Sequence, residues 1–154
     1  MKKVLIFLLI VFVFIQVFRI DKTNPPVNKS VDFLTVKKTP ESTAKIIRNS
    51  CYNCHSNESV YPWYSNVAPA SWLMKNHIDE GRKHLNFSDF ATYQTDQQLH
   101  KLEEAVEMVQ NAEMPLESYL LGHQDARLSD AQRQELVDYF TKIRTDIQIE
   151  NGLR

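Results

Sequence analysis

Apolar positions follow two regimes along the chain. Near the start they are continuous: "VLIFLLIVFVFIQVF", residues 4–18, contains one polar residue and no charge. Beyond residue 38 they recur at helical spacing. In "TPESTAKIIRNSC", Ala44, Ile47 and Cys51 stand at i, i+3 and i+7, the stripe of an amphipathic helix. Thr39 is suited to cap that helix, Pro40 to open it, and Glu41 to sit near its positive end. A second helix is predicted across residues 69–85, "PASWLMKNHIDEGRKHL". A third follows Thr95 or Asp96, with Leu99, Leu102, Val106 and Val109 on one face. The last starts at Ser129, where "SDAQ" reads as a capping box, and its apolar face carries Leu136, Val137, Phe140, Ile143 and Ile147. No strand pattern emerges apart from short extended pieces before residue 39. The presence of only 3 glycines argues against a turn-rich all-β fold. The predicted class is all-α.

The continuous apolar run sets the expected organisation. As a helix it spans ~22 Å at 1.5 Å per residue, against a hydrocarbon layer of ~30 Å. Arg19 and Lys22 can snorkel to the interface and extend its reach. A cleaved signal peptide shares the basic start and apolar middle but needs a small-residue cleavage site. The flank "QVFRIDKTN" has no Ala, Gly or Ser. Residues 1–20 are therefore expected to be an N-terminal membrane anchor, the favoured reading, or a signal; under either, Lys2 and Lys3 keep the N-terminus in the cytoplasm and the rest is exported. Residues 21–38 read as a linker. Pro25 and Pro26 favour extended backbone there, and the segment could reach ~60 Å. Residues 39–148 form the folded domain.

Charge divides along the same line. Residues 1–50 carry nine Lys/Arg against three Asp/Glu, and residues 51–154 nine against sixteen. No basic patch interleaved with aromatics occurs, which argues against nucleic-acid binding.

Both cysteines of the chain fall in "CYNCH", residues 51–55. Cys-x-x-Cys-His is the attachment signature of c-type haem, and its chemistry explains the spacing. Two cysteines three apart lie on one side of a helical turn, so each thiol can add to one vinyl group of the haem rim. His55 then reaches the iron from the proximal face. Competing readings are a structural disulfide or a redox pair, the latter expected near a βαβ pattern absent here, and a zinc site, for which no H-x₃₋₅-H pair is present. The following stretch, "VYPWYSNVAPASWL", concentrates Tyr61, Trp63, Tyr64 and Trp72. Aromatics of this kind suit the walls around a flat apolar ring, although they serve an ordinary core equally well.

The iron has a second axial position. Met114, in "NAEMPLESYL", is the leading candidate: Pro115 holds the chain in a loop there, and His/Met ligation is common in cytochromes c. Met74 and His77 are rivals on a helix. Met108 faces away from its helix's apolar stripe.

Three blocks together, "CYNCHSNESVYPWYSNVAPASWL", "HIDEGRKHLNFS" and "EMPLESYLLGHQDARLS", make the chain resemble the bacterial cytochrome-like haem-binding domain, a c-type cytochrome family. They run from Cys51 to Ser129. The resemblance implies a cytochrome c-like helical fold, one covalent haem c on Cys51 and Cys54, and His55 as proximal ligand. Met114 takes the place of the methionine in the family's Met-Pro motif. Arg82 is a candidate partner for a haem propionate, against the plainer role of a solvated cation at a helix end. The expected protein is a single-pass cytochrome of the bacterial inner membrane. Its haem domain lies in the periplasm and exchanges single electrons with redox partner proteins. The alternative is a haem-based sensor or peroxidase with a labile sixth site.

Overall fold

The computed structural model describes residues 1–153. Among them there are helices and no strand, as the apolar periodicity predicts. The helices are α1 (Lys2–Ile15), α2 (Phe33–Val36), α3 (Glu41–Ser50), α4 (Tyr52–His55), α5 (Ala70–His84), α6 (Thr95–Gln110), α7 (Glu117–Leu120) and α8 (Asp130–Glu150). Short 3-10 turns occupy Trp63–Asn66, Phe87–Thr92 and Gln124–Ala126.

Local chemistry sets the helix ends. The box at the start of α8 forms as read: Gln132 N donates to Ser129 Oγ at 3.2 Å, and Ser129 N donates to Gln132 Oε1 at 3.0 Å. α6 opens one residue earlier than expected, with Gln94 and Gln97 making the reciprocal pair. α3 starts at Glu41 behind Pro40, without a side-chain cap. The hydroxyl expected to cap it, on Thr39, instead accepts a hydrogen bond from Tyr139 at 2.8 Å. The end of α6 is a left-handed cap. Ala112 takes φ 60°, a conformation usually left to glycine. Ala112 N donates to Val109 O at 3.2 Å, and Glu113 N reaches back to Met108 O at 2.9 Å.

The core lies where α6 and α8 pack along each other, closed by α2, α3, α4 and the Phe87–Thr92 turn. Leu102 and Val109 of α6 meet Leu136, Phe140, Ile143 and Ile147 of α8. Phe33 sits at the centre with no exposed surface. Its ring lies 4.8 Å from Phe90, 5.2 Å from Phe87 and 5.9 Å from Phe140. Tyr52 of α4 stacks on Phe87 at 5.5 Å, which ties the Cys-x-x-Cys-His turn to this aromatic cluster.

The N-terminal segment departs from the expected extended tether. α1 has 14 residues and no buried side chain, a length of ~21 Å. Among the described residues no helix is long and apolar enough to cross a membrane. The expected anchor helix over residues 1–20 ends at Ile15, where Gln16 turns its amide onto the domain. Gln16 Nε2 donates to Ala68 O at 3.0 Å, and Gln16 Oε1 accepts from Ala68 N at 2.9 Å. Residues 21–38 then run along the domain as a strap rather than hanging free. Asn24 Nδ2 donates to Ser59 O at 2.8 Å, and Pro26 O accepts from Asn57 Nδ2 at 3.2 Å. Buried Asp32 caps α2 through Leu34 N and accepts the Tyr52 hydroxyl at 3.0 Å. Prolines do extend this segment. Its amides and carboxylate nevertheless find partners, and Phe33 with Leu34 contributes apolar surface to the core.

Phe33→Ala removes a fully buried ring, so it should destabilise the protein by about 3–5 kcal/mol. Thermal or urea unfolding measures this. A loss under about 1 kcal/mol would show that the segment does not belong to the cooperative unit.

Candidate functional site

The site is built on one helical turn. Cys51 caps α4, and Cys54 N and His55 N both donate to Cys51 O, at 3.2 and 2.9 Å. This turn brings both cysteines to one side and places His55 immediately after them. The thiols are free. Burial pushes Cys51 up to about 12, with Cys54 adding to the rise. Burial also pushes Cys54 up to about 11, against the opposing pull of Arg82. Both are therefore protonated at neutral pH. That is the opposite of the thiolate a redox-active Cys-x-x-Cys pair requires.

His55 is held as a neutral imidazole. Its Nδ1 lies 3.0 Å from Leu85 O. A carbonyl can only accept, so Nδ1 carries the proton and Nε2 keeps its lone pair. Burial lowers the His55 pKa, while the carbonyls of Leu85 and Gly81 oppose that shift. This is the ring state that a metal-binding histidine needs, with its second nitrogen fixed by a hydrogen bond.

α5 sets the position of the turn. At Gly81 a Cβ would lie 2.7 Å from Cys54 O and 3.2 Å from Cys54 Cβ. Only a residue without a side chain lets the two backbones meet this closely. Arg82, next in line, fastens the loop that follows the turn. Its Nε donates to Ser56 O at 2.7 Å, and its Nη2 to Asn24 Oδ1 at 2.8 Å and Ser59 Oγ at 3.0 Å. Asn86 does the same from beyond α5, donating to Asn57 Oδ1 at 2.8 Å and Asp89 Oδ2 at 2.7 Å.

A cleft of about 300 Å³ opens beside Cys54. Met74, His77 and Ile78 of α5 form one wall, and Tyr64, Tyr119 and His123 lie among its other lining residues. The Tyr64 hydroxyl lies 2.8 Å from His123 Nε2. Tyr119 stacks on His123 at 4.2 Å and accepts from Asn53 Nδ2 at 2.7 Å.

Of the residues singled out in the sequence, Cys54, Tyr64 and the two rival ligands Met74 and His77 line the cleft, with Cys51 and His55 in the same turn as Cys54. Trp63 is 79% exposed and lies outside it. Trp72 also lies outside, with Nε1 donating to Phe18 O at 2.9 Å. Arg82 is engaged with Ser56, Ser59 and Asn24. Met114 is outside the lining too: the cap of α6 turns its N–H back to Met108 O, and Arg133 donates to its carbonyl at 3.1 Å. The cleft instead presents Met74, His77 and His123. Gly81 had a signal in the sequence, since a lone glycine inside a helical pattern often marks close packing. His123 had none.

The chemistry of the donors fits haem: two protonated thiols on one turn, a neutral imidazole with a free Nε2, and a largely apolar cleft at Cys54. Among the described residues no three His, Cys, Asp or Glu side chains gather into a metal cluster, so the zinc alternative has no assembled ligand set. A family model described as a haem-binding domain matches residues 10–142, most of the chain. No curated protein and no solved structure matches.

Gly81→Ala sets two effects against each other. Helix propensity favours alanine by ~1 kcal/mol, whereas forcing a methyl into a packed contact costs about 1–3 kcal/mol. The neighbour here is backbone that also carries His55, so the clash should win. The unfolding temperature should fall, and the visible spectrum of the haem-loaded protein should shift. A more stable variant with an unchanged spectrum would show that the contact relaxes freely.

Proposed function

Since the chain belongs to the haem-binding domain family and binds haem, we propose that it is a single-haem c-type cytochrome. In this reading it passes electrons one at a time between redox proteins at the periplasmic face of a bacterial inner membrane. One observation carries the reading: the Cys51–His55 turn joins two thiols to an imidazole whose Nδ1–H donates to Leu85 O, leaving Nε2 free. Bound there, haem supplies an iron centre that changes its charge by one electron. Cys51 and Cys54 would hold the group covalently, each S–H adding across one vinyl with sulfur on one carbon and hydrogen on the other. That addition consumes no oxidant. His55 would hold the iron through Nε2, with Leu85 O keeping the ring oriented.

The chain has a single Cys-x-x-Cys-His and no second cofactor motif, which suits a carrier rather than a multi-electron enzyme. The acidic balance of residues 51–154 suits brief encounters with a basic partner. The exposed apolar surface of α1 and the lysines at its start support attachment to the membrane. Met114 would be the second residue to hold the iron; it stands outside the cleft lining, so the loop after α6 would have to bring it there.

A second reading has its own support. The cleft holds a hydrogen-bonded Tyr64–His123 pair, and Met114 stands outside. An open or labile iron site facing that pair would suit a sensor of small ligands or a peroxidase.

Two experiments separate these readings. Cys51→Ala with Cys54→Ala should abolish haem that survives denaturing electrophoresis; retention of covalent haem would refute the attachment. For the carrier, the reduced protein should bind carbon monoxide weakly, and Met114→Ala should open the iron to it and lower the potential. The same change on His77→Ala, with Met114→Ala silent, would move the ligand to His77. Rapid carbon monoxide binding by the unmodified protein would favour the sensor or peroxidase.

A further inference from the structure

A second cavity, of about 120 Å³, lies between the N-terminal segment and the domain. Its walls include Phe18, Arg19, Ile20 and Lys22 from the segment, and Ser65 and Asn66 from the turn before α5. Three features define its chemistry. Arg19 is exposed and makes no ion pair among the described residues. Lys22 Nζ donates to Asn66 Oδ1 at 2.5 Å and keeps further protons free. Ser65 is 2% exposed, yet its Oγ has no hydrogen-bond partner. A buried hydroxyl left unpaired is costly unless something fills the place of the partner. No acidic side chain lines the cavity. Asp21, the nearest carboxylate in sequence, turns Oδ1 to Thr23 N at 2.8 Å instead.

Two cations, an unpaired hydroxyl donor and no carboxylate make an oxyanion site. The space exceeds the ~15 Å³ that a single water needs. Phe18 and Ile20 add apolar surface to the same walls, and α1 leaves from Gln16 at the cavity's edge with every side chain outside the core. We propose that this cavity binds a phosphate group, supplied by the headgroup of an anionic phospholipid whose chains lie along α1. Arg19 and Lys22 neutralise the phosphate, and Ser65 Oγ donates to one of its oxygens. Free phosphate carries the same chemistry, so the test separates the two sources. The lipid source rests on the membrane reading above; the phosphate site does not.

The test uses the full haem-loaded chain in dodecyl maltoside micelles containing equal amounts of phosphatidylglycerol and phosphatidylethanolamine. Retained lipid is measured by mass spectrometry after washing. In lipid-free micelles, inorganic phosphate is titrated and followed by phosphorus NMR line width. The expected result is retained lipid enriched in phosphatidylglycerol. Ser65→Ala should weaken that retention about tenfold, the effect of losing a hydrogen bond to a charged group, and Arg19→Gln with Lys22→Gln should return it to the bulk ratio. Ser65→Ala should also raise the unfolding temperature of the lipid-free protein, because it removes an unpaired buried hydroxyl. A serine with only a packing role would not combine weaker binding with higher stability. Saturable phosphate binding that both variants lose, without lipid preference, would keep the site and assign it to free phosphate. Retention indifferent to both variants, together with no saturable phosphate binding, would overturn the proposal. The haem spectrum should be unchanged in both variants, so loss of the haem reading and loss of this one are told apart.

Discussion

The backbone of Cys54 rests on α5 at Gly81, too close to admit a methyl group. Most of the site follows from that contact through helical spacing alone. Leu85 is one turn further along the same face and presents its carbonyl to His55. Ile78 and His77 lie one turn back, and Met74 two turns back, so the same stripe becomes a wall of the cleft. Arg82 points from the neighbouring position into the loop that leaves the turn. A single helix thus measures out the seat of the imidazole, the position of the second thiol and one face of the cavity. Separating the two backbones at Gly81 disturbs all three together, which is why one small residue has such reach.

Polar groups do the remaining fastening. The loop after His55 offers backbone carbonyls and small hydroxyls that water would otherwise satisfy. Arg82 and Asn24 reach them from separate segments, and Asn86 holds the Asn57 side-chain amide of the same loop. Asn24 belongs to the strap, so the N-terminal segment is part of the frame around the site. Asp32 extends the same connection inward, capping α2 while it accepts the Tyr52 hydroxyl. Tyr52 in turn stacks between the thiol turn and the phenylalanine cluster. With no disulfide among the described residues, the turn depends on these hydrogen bonds and on ring packing for its position.

What could be read in the sequence divides by range. The all-α class and the capping box at Ser129 are written in residues a few positions apart, and both hold; Tyr52–His55 forms a helical turn behind Cys51. The strap was opaque because its proline pair and charges resemble a tether, while its partners in the domain lie 20 or more residues away. The tryptophans misled for a related reason. Aromatic density says that large surfaces need cover, not which cover. Trp72 gives its N–H to Phe18 O and Trp63 faces outward, leaving Tyr64 alone at the cleft. Met114 depends on how α6 ends. The left-handed Ala112 reverses the chain there, and Arg133 holds the carbonyl of Met114 against α8. Nothing within the Met-Pro pair encodes that reversal.

The turn Trp63–Asn66 joins the two cavities and gives the molecule a direction. Tyr64 faces the cleft beside Cys54, while Ser65 and Asn66 face the cationic cavity at the foot of α1. α5 repeats the division, with Ser71 on the cationic side and Met74 and His77 on the cleft side. The proposed haem seat and the proposed phosphate seat are therefore separated by one short turn and one helix end. A domain attached through α1 would carry its haem edge close to the lipid surface rather than at the end of a long tether, because the strap doubles back along the domain. Its partners would then meet it in a shallow layer above the membrane. There the net negative charge of residues 51–154 would favour encounters that are fast and brief, as the proposed one-electron exchange requires.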